Sequence, residues 1–262
     1  MADWVPPGAW LAPGYAEWAP PAALRPGVTC LWASLVPGGA ARPAAPVLPD
    51  GCSDLIWEQG AGAFVAGPDT SAWSVQARPG AVFVGVRFAP GAGGQVLGLP
   101  LSELRDQRVP LDDLTGAGLV KSVAGGGLSP ALPPAGAAAR LLDITGHLIA
   151  DASPDPAVHA AVSLLRDPAA RAGDVAQRVG LSERQLRRRC HAAAGYGPKA
   201  LQRILRFNRF VRMADAAAEP LDLAGTAVRL GYADQPHLTR DCASLAGLTP
   251  AALAQARRPA VA

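Results

Sequence analysis

Between residues 25 and 90 the apolar positions come in short runs separated by turn residues: Val28 to Leu35, Leu55 to Trp57, Phe64 to Ala66, and the alternating stretch Ala81-Val82-Phe83-Val84-Gly85-Val86-Arg87-Phe88. Runs of this length with period-two alternation predict β-strands. Their close spacing, with Pro49-Asp50-Gly51 and Arg78-Pro79-Gly80 as turns, favours a small antiparallel barrel or sandwich over a parallel sheet with crossover helices. Ser122 to Ala139 then runs 18 residues without a charge. Gly125, Gly126, Gly127, Pro130, Pro133 and Pro134 interrupt it, so it predicts a linker and not a membrane-spanning helix.

Beyond residue 154 the pattern is helical, and it occurs twice. Val179-Gly180-Leu181 is matched by Leu230-Gly231-Tyr232, Leu186-Arg187-Arg188-Arg189-Cys190 by Leu238-Thr239-Arg240-Asp241-Cys242, and Gly195-Tyr196-Gly197-Pro198 by Gly247-Leu248-Thr249-Pro250. The offset is 51 residues before the turn and 52 after it, which one extra residue in the second turn explains.

Each copy predicts helix, tight turn, helix. In the first, Val175, Ala176 and Val179 form the apolar face of a short helix, and Gly180 follows where a chain leaving a helix needs a left-handed residue. Ala176 and Ala227 are small enough for two helices to cross steeply. Ser182-Glu183-Arg184-Gln185 has the form of a capping box, which starts the second helix at Ser182 and carries it to about Ala194. Leu186 and Cys190, four apart, face inward and leave Arg184, Arg187 and Arg188 to face out, suited to the major groove of double-stranded DNA. Gln185 has two uses open to it, capping the backbone or reading a base.

In the second copy Asp234 caps, Pro236 sits in the first turn where its missing N–H costs little, and Leu238 and Cys242 point inward. Gln235, His237, Thr239 and Arg240 remain for the surface. Pro198 to Ala218 predicts a connecting helix roughly 30 Å long, against the 34 Å or so between successive major-groove faces. Arg203, Arg206, Arg209 and Arg212 recur along it every third residue, so they drift round the helix and cannot form one stripe. Ser182, Arg206 and Asp234 are the candidates for phosphate contacts or helix caps.

Charge sharpens this division. Residues 1–150 carry a net −3 and residues 151–262 a net +6, and the first part holds 22 of the 29 Gly and 18 of the 26 Pro. The basic part is therefore the one to meet a polyanion. We divide the chain into a β-rich domain at 1–121, a Gly/Pro-rich linker and helix at 122–153, and an all-α domain at 154–262, an α+β architecture of two domains. The start, Met-Ala-Asp-Trp, lacks the basic and apolar regions of a signal peptide, so a cytoplasmic protein without a membrane partner is expected.

Catalytic chemistry finds little to work with. The first 150 residues contain one histidine, His147, so neither a His-rich metal site nor a Ser/His/Asp arrangement can form in the β part, and no metal or cofactor is expected. Pro90-Gly91-Ala92-Gly93-Gly94 lacks the Lys-Ser/Thr end of a phosphate loop and reads as a plain loop. All six tryptophans fall within the first 73 residues, where they fill a small core or line a pocket. Cys30, Cys52, Cys190 and Cys242 are too far apart for a zinc site; Cys30 and Cys52 read as small buried hydrophobes, with oxidant sensing as the alternative.

The stretch Ala227-Val228-Arg229-Leu230-Gly231-Tyr232-Ala233-Asp234-Gln235-Pro236-His237-Leu238-Thr239-Arg240, with Gly247-Leu248-Thr249-Pro250 after it, resembles the signature of the AraC/XylS family of transcription regulators. The resemblance covers about Pro154 to Ala254. It implies two helix-turn-helix units joined by a long helix, with Arg184, Gln185, Arg187 and Arg188 and then Gln235, Pro236, Thr239 and Arg240 at the groove-facing positions. Pro236 departs from the usual polar type, and Cys190 and Cys242 stand where the family has a large aromatic. Val47 to Ile56 and Val86 to Ala92 are similar to the amino-terminal domain of a subgroup of these regulators. That likeness implies a β-rich domain that binds a small-molecule effector or a second copy of the chain, and the family function adds RNA polymerase as a partner. An enzymatic alternative, a methyl-accepting DNA-repair protein with an AraC-like module, needs four clustered cysteines, and only Cys30 and Cys52 lie in the first half.

Overall fold

The computed structural model describes residues 14–38, 46–74, 77–114 and 127–257. Six strands, β1 (Gly14–Trp18), β2 (Val28–Leu35), β3 (Ser53–Glu58), β4 (Gly62–Ala66), β5 (Val82–Phe88) and β6 (Arg108–Pro110), form one antiparallel sheet in the order β1-β2-β5-β3-β4-β6. Alternation decides which face each side chain takes. Val82, Val84, Val86 and Phe88 of β5 are buried with Leu31, Leu55, Trp57 and Val65. On the opposite face Cys30, Trp32, Ile56 and Ala66 make a smaller cluster with Phe64 and Phe83. Trp32 lies across Gly85, where an added Cβ would come within 2.3 Å of the indole.

The second layer of this domain is helical. Helix α2 (Pro134–Asp151) packs on β5 and buries Ala137, Leu141, Leu142, Ile144 and Leu148 in the same core as the sheet. Each such Leu or Ile contributes about 1.5–3 kcal/mol relative to exposure. The stretch read as a linker therefore ends at Pro134, which opens α2 at its first position, and the helix belongs to the first domain. Residues 115–126, which include most of the Gly-rich part of that stretch, lie outside the described residues. Of the tryptophans, Trp32 and Trp57 are core, the latter donating to Ser129 O at 2.9 Å, whereas Trp73 is exposed under the Arg108 guanidinium. Trp4 and Trp10 also lie outside the described residues.

The all-α part comprises α3 (Pro156–Leu165), α4 (Ala172–Arg178), α5 (Glu183–Ala194), α6 (Pro198–Ala216), α7 (Leu223–Arg229), α8 (Gln235–Ala246) and α9 (Pro250–Arg257). They share one core that includes Leu186, Cys190, Tyr196, Phe207, Phe210, Tyr232, Leu238 and Cys242. Phe207 and Phe210 are both fully buried there, in the core that holds Cys190 and Cys242.

The two parts meet through small residues. The segment Pro90 to Gly94, read as a plain loop, opens helix α1 (Gly93–Leu97), which packs on α5. An added Cβ at Gly94 would lie 2.2 Å from Ala192 O, so only glycine allows this approach. Tyr196 donates its hydroxyl to Asp69 O, and Asp155 N donates to Gln95 Oε1 at 3.0 Å.

Candidate nucleic-acid interface

The internal repeat becomes a repeat of geometry. In the first unit α4 ends at Arg178 with Val179 as its C-cap, Gly180 takes φ +69°, and Leu181 N donates to Ala176 O at 2.9 Å. In the second, Gly231 takes φ +77° and Tyr232 N donates to Ala227 O at the same 2.9 Å. Ala176 and Ala227 are buried where the paired helices cross, and Leu186, Cys190, Leu238 and Cys242 are fully buried on the inner faces of α5 and α8. These are two helix-turn-helix units whose second helices turn their remaining residues outward.

Capping holds the start of each outward helix. Ser182 Oγ accepts from Gln185 N at 3.3 Å while Gln185 Oε1 accepts from Ser182 N at 2.9 Å, a reciprocal capping box. The Gln185 carbonyl oxygen is thereby turned back to the backbone, and its amide nitrogen alone remains for a partner. Asp234 Oδ1 accepts from His237 N at 2.6 Å, and Pro236 occupies the first turn of α8.

Arg184, Arg187 and Arg188 are exposed on α5, and no carboxylate pairs with them among the described residues. Arg189, on the inner side, is held by Asp155 at 3.0 Å. On α8 Gln235, Pro236 and Arg240 are exposed; Thr239 is half-buried and returns its hydroxyl to Gln235 O at 3.0 Å. Arg240 is 69% exposed and only 4.0 Å from Asp234 Oδ1, a loose contact worth little in water.

Arg206 does not follow the expectation of a phosphate contact. Its side chain is 13% exposed, stacks on the Tyr232 ring at 4.2 Å and donates to Asp241 Oδ2 at 3.1 Å. Arg203 donates to the other oxygen, Oδ1, at 2.7 Å. Asp241, 5% exposed, thus ties the connecting helix α6 to the outward helix α8 through both oxygens. Sequence reasoning missed this residue; its one signal was an acid beside the inward Cys242.

The thiols face no such surface. Burial pushes Cys30 up to about 12, Cys190 up to about 11 and Cys242 up to about 12, and lifts Cys52 well above its ordinary value. All four stay protonated at neutral pH, the unreactive form. Among the described residues no group of three His, Cys, Asp or Glu side chains is placed to hold a metal, and no helix is long and apolar enough to cross a membrane.

A helix-turn-helix domain model matches residues 175–256, from α4 into α9, and so takes in both units and the connector between them. The chain carries an AraC-type helix-turn-helix domain at these residues. It is a transcription regulator with an AraC-type domain that binds double-stranded DNA. A domain of unknown function (DUF6597) matches residues 16–110, from β1 to β6. Two solved structures are similar to this chain in part. A probable AraC family transcriptional regulator from Rhodopseudomonas palustris is 20% identical, with 40% of this chain and 100% of that one covered and a TM-score of 0.36. ToxT from Vibrio cholerae is 11% identical, with 82% and 94% covered and a TM-score of 0.42. No curated protein matches the chain significantly.

Proposed function

We propose that this regulator reads DNA sequence by placing α5 and α8 in successive major grooves on one side of the double helix. The observation that carries the reading is the pair of outward helices with exposed arginines, joined through one connecting helix. Helix α6 has 19 residues and is about 28 Å long, close to the 34 Å or so of one helical turn of DNA. Arg184, Arg187 and Arg188 in one groove, and Gln235, Thr239 and Arg240 in the next, are the proposed base or phosphate contacts, with Pro236 giving apolar contact only. Gln185 contributes through its amide nitrogen alone.

Two units in one chain already span two groove turns, so this reading needs no second copy for DNA binding. Control by a small molecule, as the family resemblance suggests, would act through the first domain, whose α1 and Asp69 already touch α5 and Tyr196. Methylation interference tests the placement, because arginine meets guanine at N7 and O6 in the major groove. Premethylating guanine N7 in a bound fragment from upstream of the gene is expected to block binding at two clusters about one helical turn apart. A single cluster, or none, would contradict two-groove reading.

A further inference from the structure

The outward face of α5 continues beyond the residues that the helix-turn-helix reading uses. At 100° per residue Arg184, Arg187, Arg188, His191 and Gly195 fall within an arc of about 100°, and the stripe from residue 184 to residue 195 is about 16 Å long. At its far end a residue of the first domain joins it: Arg105 Nη1 donates to Gly195 O at 3.5 Å, and the rest of its side chain is exposed. No carboxylate pairs with Arg105 among the described residues. Asp106, its neighbour, is engaged by Thr70 N at 2.6 Å and by Thr70 Oγ1, Asp69 is held by Arg108, and Glu103 is exposed two residues away.

His191 shows that these cations share one field. Burial first, then the charges of Arg105 and Arg187, hold its pKa below the ordinary value. Positive groups gathered from two domains without a carboxylate partner are destabilising by themselves and are relieved by an anion.

We propose that Arg105 contacts the phosphate backbone of the DNA that α5 reads, so that the DNA-binding surface spans both domains. With the first turns of α5 at the base edges, as helix-turn-helix proteins place them, the far end of the stripe emerges at the groove rim, where the phosphates run. The docked first domain holds Arg105 at that rim. Pro68 lies so close to Gly195 that a Cβ there would be 2.3 Å from Pro68 Cγ, and Tyr196 is anchored on Asp69 O. The consequence is a route for control: any change that shifts the first domain on α5 also moves a phosphate contact.

The inference rests on DNA binding by α5 and deepens it. Its test uses the full chain, a DNA fragment that it binds and a shuffled fragment, with titrations at several salt concentrations for the wild type, Arg105→Gln and Arg105→Lys. Loss of one phosphate contact reduces the slope of log K against log salt by about 0.9, so the ratio of affinities at 50 and 200 mM salt falls about 3.5-fold. Arg105→Gln is expected to show that reduction equally on both DNAs, and Arg105→Lys to keep the wild-type slope. In free Arg105→Gln the His191 pKa, followed by NMR, rises toward its ordinary value. An unchanged Arg105→Gln slope, or a slope that Arg105→Lys fails to restore, would overturn the proposal while leaving wild-type DNA binding intact. No binding by the wild type would overturn the DNA reading and this proposal with it.

Discussion

Replacing Arg188 and Arg240 together by alanine is expected to abolish the preference of the protein for its own DNA sequence while leaving its fold unchanged. Both side chains are exposed, one on each outward helix. A guanidinium that meets a base bidentately contributes about 1–3 kcal/mol of discrimination. Two on separate helices without a shared partner add, giving about 2–6 kcal/mol, roughly 30-fold to 10⁴-fold in relative affinity. Stability should move by no more than about 0.5 kcal/mol, as for other surface substitutions. Binding of the variant to the preferred and the shuffled fragment at one salt concentration checks this. Equal weakening on both would make the two arginines phosphate contacts only and would assign base reading to other residues.

Asp241→Ala should produce the largest loss of stability among the polar residues of the second domain. Removing one partner of a buried ion pair costs about 3–5 kcal/mol, because the charge left behind has lost both water and its counter-ion. Here Arg203 is 38% exposed and regains water, whereas Arg206 at 13% does not, which places the loss near the low end, about 3 kcal/mol. Urea unfolding measures it. All six tryptophans lie in the first 73 residues, so their fluorescence follows the first domain while far-UV circular dichroism follows chiefly the helices of the second. The expected result is an early transition in circular dichroism with the fluorescence transition little changed. A loss below about 1 kcal/mol would mean that the guanidiniums find other partners.

What the sequence made legible is what short-range chemistry determines. Gly180 and Gly231 mark turns because the left-handed region excludes most side chains, and Ser182, Gln185 and Asp234 mark helix starts because their side chains satisfy orphan N–H groups within three residues. The repeat then placed α5 and α8 as the outward helices. The alternation of β5 likewise predicted a strand, and the sheet put its two faces in different clusters.

The rest depended on partners distant in sequence. The four arginines of α6 look alike in spacing, and partners distant in sequence, Tyr232 and Asp241, decide that Arg206 turns inward. Pro133 and Pro134 read as part of a linker, although Leu141, Ile144 and Leu148 carry the helix they open into the sheet's core. Gly94 carried no chemical signal, because what it provides is the absence of a side chain where α1 meets α5. Arg105 stayed hidden for a related reason: its proximity to His191 comes from the docking of two domains, which no local pattern records.

The central claim, sequence reading by two helices in one chain, is tested most directly by selecting full-length protein-bound DNA from a random pool. The expected result is a two-part motif whose halves are about one helical turn, roughly 10 base pairs, apart, with one half weakened in Arg188→Ala and the other in Arg240→Ala. A pool that stays unenriched while binding falls steeply with salt would contradict it, leaving only a basic surface that attracts any DNA.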